Sequence, residues 1–173
     1  MPDPLQPTDA NARHAFSTAL QASGSAEEGS ALGMAWLAAE ERRIEQRHQR
    51  GGGGMEIARA RAGLVDEVLE ELFAKALTPT ERKSPAVALV AIGNYGRATL
   101  SPRSNIRILV LLGKASAKLP PAQHAAIQEY IDTLGSMGLK TSHMLVSVGE
   151  CLERATEDLQ LKIALTDARL VSG

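Results

Sequence analysis

The spacing of hydrophobic positions changes near residue 85. Before that point, Met55 to Leu77 carries Ile57, Leu64, Val65, Val68, Leu72 and Ala76 at helical spacing, a wide apolar stripe that predicts an amphipathic helix. Thr78-Pro79 should end it, because the residue before proline avoids the α region. Upstream, Ala31 to Arg50 predicts another helix. Its second half, EERRIEQRHQR, is polar nearly all round and reads as a solvated face with charge pairs at i,i+3 and i,i+4. Gly51 to Gly54 separates the two helices as a flexible linker, since it lacks the spacing and the Lys-Ser/Thr ending of a P-loop. Residues 1–30 hold three prolines and few large apolar groups, which predicts a mostly mobile tail with a short helix around Phe16 and Leu20.

Beyond residue 85 the apolar runs have strand length. Ala86 to Gly93 (AVALVAIG) is continuous and ends on glycine, as a strand buried on both faces would. Asn94 to Ser104 is a turn-rich connection. Asn105 to Leu112 (NIRILVLL) starts polar and becomes apolar, a second strand. Pro120-Pro121 opens a helix with Ile127, Tyr130, Ile131 and Leu134 on one face, and Gly138 suits its C-terminal end. Lys140 to Val148 is a third, amphipathic strand, residues 150–164 read as helical, and residues 168–171 read as extended. The fold class is α/β in the α+β sense, a small mixed sheet with helices packed on it. A doubly wound sheet is excluded, because the first two strands are too close for a crossover helix.

Composition narrows the function. The chain has 173 residues, 44% of them hydrophobic, and a formal net charge of −1. That balance argues against broad nucleic-acid or membrane binding, which needs a basic face. An aromatic fraction of 3% leaves few stacking platforms for single strands. Cys151 is the only cysteine, so no internal disulfide and no multi-thiolate metal site can form. No apolar run is long enough to span a bilayer, and the N-terminus lacks the basic-then-apolar pattern of a secretory signal, so a cytoplasmic protein is expected.

Gly93 to Leu112, GNYGRATLSPRSNIRILVLL, resembles the signature of the protein-PII uridylyltransferase family, Gly-Gly-Tyr-Gly-Arg-Gly-Glu-Leu-Phe-Pro-Tyr-Ser-Asp-Ile-Asp followed by a leucine-rich strand. Gly93, Tyr95, Gly96, Arg97, Leu100, Pro102, Ser104 and Ile106 match in order and spacing. A second block, Leu139 to Gly173, is similar to the family's Leu-Lys-x-Gly-His strand, its Glu-Glu-Cys-Leu-Glu and its Ala-Leu-Leu-Asp-Ala-Arg-Leu-Leu-x-Gly stretch. Ala58 to Phe73 resembles the segment upstream of the family's first strand. The resemblance implies a polymerase-β-like nucleotidyltransferase fold. The similarity covers roughly Ala31 to Gly173, and the chain is expected to consist of a tail (1–30), an N-terminal helical segment (31–77) and a nucleotidyltransferase-like domain (78–173). In that family a glycine-rich turn holds a nucleoside triphosphate, and an Asp-x-Asp pair on the next strand binds two magnesium ions that drive uridylyl transfer from UTP to PII. Full-length members carry hydrolase and sensor domains, which a chain ending at Gly173 would lack.

The positions matching Asp-x-Asp are Asn105 and Arg107. Strand alternation puts both on one face, so the geometry is kept while the chemistry is lost. Magnesium takes anionic oxygens, whereas Asn105 offers a neutral carbonyl and Arg107 a permanent cation. Thr99 stands where the family has Glu, Asn94 and Ala98 where it has Gly, Ser101 where it has Phe, and Ser142 where it has Gly. The catalytic positions are therefore degenerate, no metal site is expected, and Mg2+ would matter only if activity remained. The expected function is a catalytically inactive nucleotidyltransferase-fold module that binds a nucleotide, a phosphate compound or a PII-like protein through Gly93, Asn94, Arg97, Ser104 and Arg107. The alternatives are an active transferase using UTP or ATP with Mg2+ on a PII-like protein, or a decayed gene fragment.

Plainer roles stand beside these. Gly93 and Gly96 can serve only a tight turn, and Arg97 and Arg107 can be surface arginines. His143 reads as a partly buried structural histidine. Asp167 can sit near the position of the family's active site, with a helix-end salt bridge to Arg169 or another surface role as its plainer reading.

Overall fold

The computed structural model describes residues 10–78, 86–115 and 118–173. Three helices come first: α1 (Ala10–Ala22), α2 (Ala26–Gln49) and α3 (Gly54–Ala76). Strand β1 (Val87–Ala91) leads into the single turn α4 (Gly93–Gly96), then β2 (Ile106–Leu112), α5 (Pro121–Ser136) and β3 (Thr141–Ser147). Two short helices, α6 (Val148–Glu157) and α7 (Leu159–Leu165), precede β4 (Arg169–Ser172). The four strands form one sheet in the order β3-β2-β1-β4. Both neighbours of β1 run antiparallel to it, and β3 runs parallel to β2. The mixed sheet expected from the sequence is thus present, with β1 and β2 adjacent and α5 packed on it.

The amino-terminal residues differ from expectation. Residues 10–30, expected to be mostly mobile apart from a short helix, are helical for most of their length, and residues 1–9 lie outside the described residues. Phe16 and Leu20 of α1 are buried in the main core, with Phe16 stacked on Trp36 at a centroid distance of 4.9 Å. Lys75 Nζ donates to the carbonyls of Leu20 and Ser23 at 2.9 and 2.7 Å, satisfying the end of α1 where helix carbonyls lack partners. α2 starts five residues before the expected Ala31, because Ser25 caps it: its side chain accepts from Glu28 N, and Glu28 accepts from Gly24 N. The polar half of α2 pairs partly with its neighbour, Arg47 with Glu56 and Arg61 with Glu41 of α2, besides Arg43 with Glu40. The glycine break is a tight turn, with Gly51 N and Gly52 N donating to His48 O and Arg47 O. Pro79, expected to end α3, lies outside the described residues.

One sheet face carries Val87, Leu89, Ala91, Ile106, Ile108, Val110 and Leu112. It shares a core with α1, α2, α3 and α5. The opposite face carries Leu109 and Val146 and is covered by α6 and α7 through Cys151, Ala155, Leu161 and Ala164. The segment expected as one helix over residues 150–164 is two, because Asp158 ends α6 and its side chain caps α7 by accepting from Leu161 N at 3.0 Å. No helix among the described residues is long and apolar enough to cross a membrane.

Candidate functional site

The sheet places β1, β2 and α7 around one cleft. Gly93 leaves β1 with φ +63, a left-handed conformation that side chains rarely adopt, and this starts the α4 turn. The turn sits hard against the α7–β4 connection. A Cβ on Gly96 would collide with the carbonyl oxygen of Asp167, so glycine is required there for close approach. Below the turn, Tyr95 is fully buried, and its hydroxyl donates to Asp66 of α3 at 2.5 Å. Arg169 of β4 donates to both oxygens of Asp66, at 2.9 and 3.0 Å, and to the carbonyls of Gly96 and Tyr95. Burial holds the Tyr95 phenol well above its ordinary range, reinforced by the charge of Asp66. Burial alone would pull the Arg169 guanidinium down, but the bonds and charge of Asp66 outweigh it and the net direction is up. These bonds tie α3, α4 and β4 together and fix the turn that forms the cleft's rim.

The cleft has a volume of about 510 Å3 and is lined by Gly93, Asn94, Arg97, Ser104, Asn105 and Arg107, together with Gln160, Ile163, Ala164 and Asp167. The first six are candidates from the sequence, separated by up to 14 positions and brought together here. Thr99 is not among the lining residues. Its side chain instead donates to the Asn94 carbonyl at 3.3 Å. Asn105 Nδ2 donates to Ser142 Oγ at 3.2 Å, so two positions that depart from the family pattern satisfy each other across β2 and β3. Arg107 has no ion pair or side-chain hydrogen bond among the described residues and lines the cleft. Arg97 is half exposed; one end of its fork donates to Asp167 Oδ2 and the other to Asn94 Oδ1.

Two readings of single residues are corrected. Asp167 pairs with Arg97 and not with Arg169, because β4 turns Arg169 toward α3 while Asp167 remains on the cleft side. His143 is exposed on the edge strand β3 and outside the cleft, so it is not partly buried. Gln160, Ile163 and Ala164 escaped the sequence reading, since nothing in a short amphipathic helix announces which residues border a cleft formed by distant strands.

The resemblance drawn from the sequence implies a pair of magnesium ions beside β2. The donors here do not fit them. Asn105 and Arg107 occupy the two positions, and the only carboxylate lining the cleft among the described residues, Asp167, is engaged by Arg97. Among the described residues no group of three or more His, Cys, Asp or Glu side chains is arranged to hold a metal ion. Relative to two aspartates, one neutral amide and one guanidinium shift the charge from −2 to +1, which favours an anion where the family places cations.

No protein-family model matches the chain. It is similar to three bacterial proteins, each described as a bifunctional uridylyltransferase/uridylyl-removing enzyme. Identity is 32% over 136 residues with that of Phenylobacterium zucineum, 36% over 130 with that of Nitrosococcus oceani and 30% over 136 with that of Caulobacter vibrioides. Each match covers 75% of this chain, which spans only 14% of the length of each relative.

Proposed function

Because the chain is homologous to a segment of the protein-PII uridylyltransferase family, we propose that it is a nucleotidyltransferase-like module whose cleft binds a nucleotide or another phosphate compound without metal and without turnover, in a regulatory role in the cytoplasm. The observation that carries this reading is Arg107. It is a guanidinium without a protein partner among the described residues, in a cleft where the family pattern has aspartate. Arginine holds phosphate with a planar fork of donors. Gly93 and Ser104 border the same space and supply a closely approachable backbone and a hydroxyl. Loss of both aspartates supports the absence of turnover, since a magnesium-assisted transfer draws several kcal/mol of its transition-state stabilisation from the metal.

Calorimetric titration with UTP and ATP tests the proposal. Binding is expected in EDTA, not strengthened by added magnesium and weakened by salt, because a partly exposed charge is screened within about 10 Å at 0.1 M ionic strength. Arg107→Ala should weaken it by roughly tenfold or more, since a hydrogen bond to a charged group is worth about 1.5–3 kcal/mol. The same protein incubated with UTP, magnesium and a PII-type protein should transfer no uridylyl group. Binding that requires magnesium, binding indifferent to Arg107→Ala, or robust transfer would each overturn the reading.

A further inference from the structure

The two cleft arginines are in different states. Arg107 is unpaired among the described residues, whereas both ends of the Arg97 fork are occupied by its own chain, Nη1 by Asp167 and Nη2 by Asn94. We infer that Asp167 is a specificity-determining residue of the cleft, an internal carboxylate that occupies the anion position on Arg97 and so sets how much negative charge a ligand must bring to reach it. The inference rests on the reading that the cleft binds phosphate.

Asp167 is held where it can do this. Its carbonyl abuts Gly96, its N–H donates to Ala164 O at 3.4 Å, and two residues later Arg169 is anchored by both oxygens of Asp66. The carboxylate is therefore presented to Arg97 from a backbone fixed on both sides, and its side chain is only 22% exposed. Carboxylate and phosphate oxygens are the same kind of acceptor for a guanidinium fork. A ligand with a single phosphate can use Arg107 and leave the Arg97–Asp167 pair intact. A di- or triphosphate that extends to Arg97 meets a guanidinium whose charge Asp167 already offsets, and either displaces that carboxylate or lies beside its negative charge. Asn94 contributes to the same hold, and it stands where the family pattern has glycine, which has no side chain to do so.

The experiment compares inorganic phosphate with pyrophosphate, titrated calorimetrically in EDTA. Asp167→Asn keeps the shape and removes the charge. It should tighten pyrophosphate binding by about 2- to 5-fold, the range that corresponds to a partly exposed ion pair, and leave inorganic phosphate nearly unchanged. The gain should vanish when Arg97→Ala is added. Asn94→Ala loosens the fork without touching the charge of Asp167 and should shift pyrophosphate binding in the same direction. It provides a second test if Asp167→Asn does not fold. Pyrophosphate binding that is unchanged or weaker in the variants, or an equal gain for inorganic phosphate, overturns the role of Asp167 while leaving the phosphate site standing. If Arg107→Ala does not affect pyrophosphate binding in the parent protein, or no form of the protein binds pyrophosphate, the reading of the cleft fails and the role of Asp167 fails with it.

Discussion

Ala98 has a left-handed backbone, φ +53, at a position where the uridylyltransferase pattern has glycine. The turn takes this conformation without the residue that adopts it most freely. A non-glycine residue there costs about 1–2 kcal/mol, and glycine's extra chain entropy offsets about 0.5–1 kcal/mol of the relief. Ala98→Gly should therefore stabilise the protein by roughly 0.5–1 kcal/mol by these two terms, read as a higher urea midpoint. Gly96→Ala should act the opposite way, because the obstacle is the fixed carbonyl of Asp167 and not a movable side chain. Overpacking of this kind costs about 1–3 kcal/mol. A neutral Gly96→Ala would mean that the turn and the α7–β4 connection do not meet as described.

At the scale of elements, α1 shows how a weak local signal becomes a packed helix. Its only buried side chains are Phe16 and Leu20, but partners on other elements complete it. Trp36 stacks on Phe16, Arg13 pairs with Glu70, Ser17 donates to Glu71 and Lys75 closes the carbonyl end. Phe16→Ala should cost about 3–5 kcal/mol, the usual range for removing a buried aromatic ring, measured by chemical denaturation. A cost below about 1 kcal/mol would be that of a surface substitution and would place α1 outside the cooperative core. The start of α2 was open to reading from Ser25 and Glu28, which form the Ser-x-x-Glu pattern of a helix start. The composition of residues 1–30 obscured it. The link from Tyr95 through Asp66 to Arg169 was not legible, because its members are 29 and 103 residues apart in sequence.

For the whole molecule, both tyrosines of the chain are buried, Tyr95 against Asp66 and Tyr130 with its hydroxyl 3.5 Å from Leu69 O. Burial raises both phenols well above the ordinary value of 10.0. In the folded state they keep their protons as pH rises through 10, while the unfolded chain releases its own. The unfolded state then binds fewer protons, so stability falls with rising pH. The contribution is complete below pH 10 and is lost progressively above it. Native protein should show no tyrosinate absorbance near pH 10, and the signal should appear together with the loss of helical circular dichroism. Tyrosinate absorbance that rises while the helices persist would contradict the burial of these side chains.

The sequence by itself determined the helices α2, α3 and α5, the strands of the mixed sheet, and the presence of Asn105 and Arg107 in place of two carboxylates. Each depends on information close in the chain: the spacing of apolar positions, a proline or glycine, or the identity of residues 105 and 107. Tertiary structure decided which residues share a cleft, that Arg97 is held while Arg107 has no side-chain partner among the described residues, and that Asp167 faces Arg97 while Arg169 faces Asp66. Those outcomes depend on strand pairing and on the close approach of Gly96 to Asp167, contacts between segments about 70 residues apart. The sequence marks each partner by its chemistry, but only the folded backbone brings the two within bonding distance.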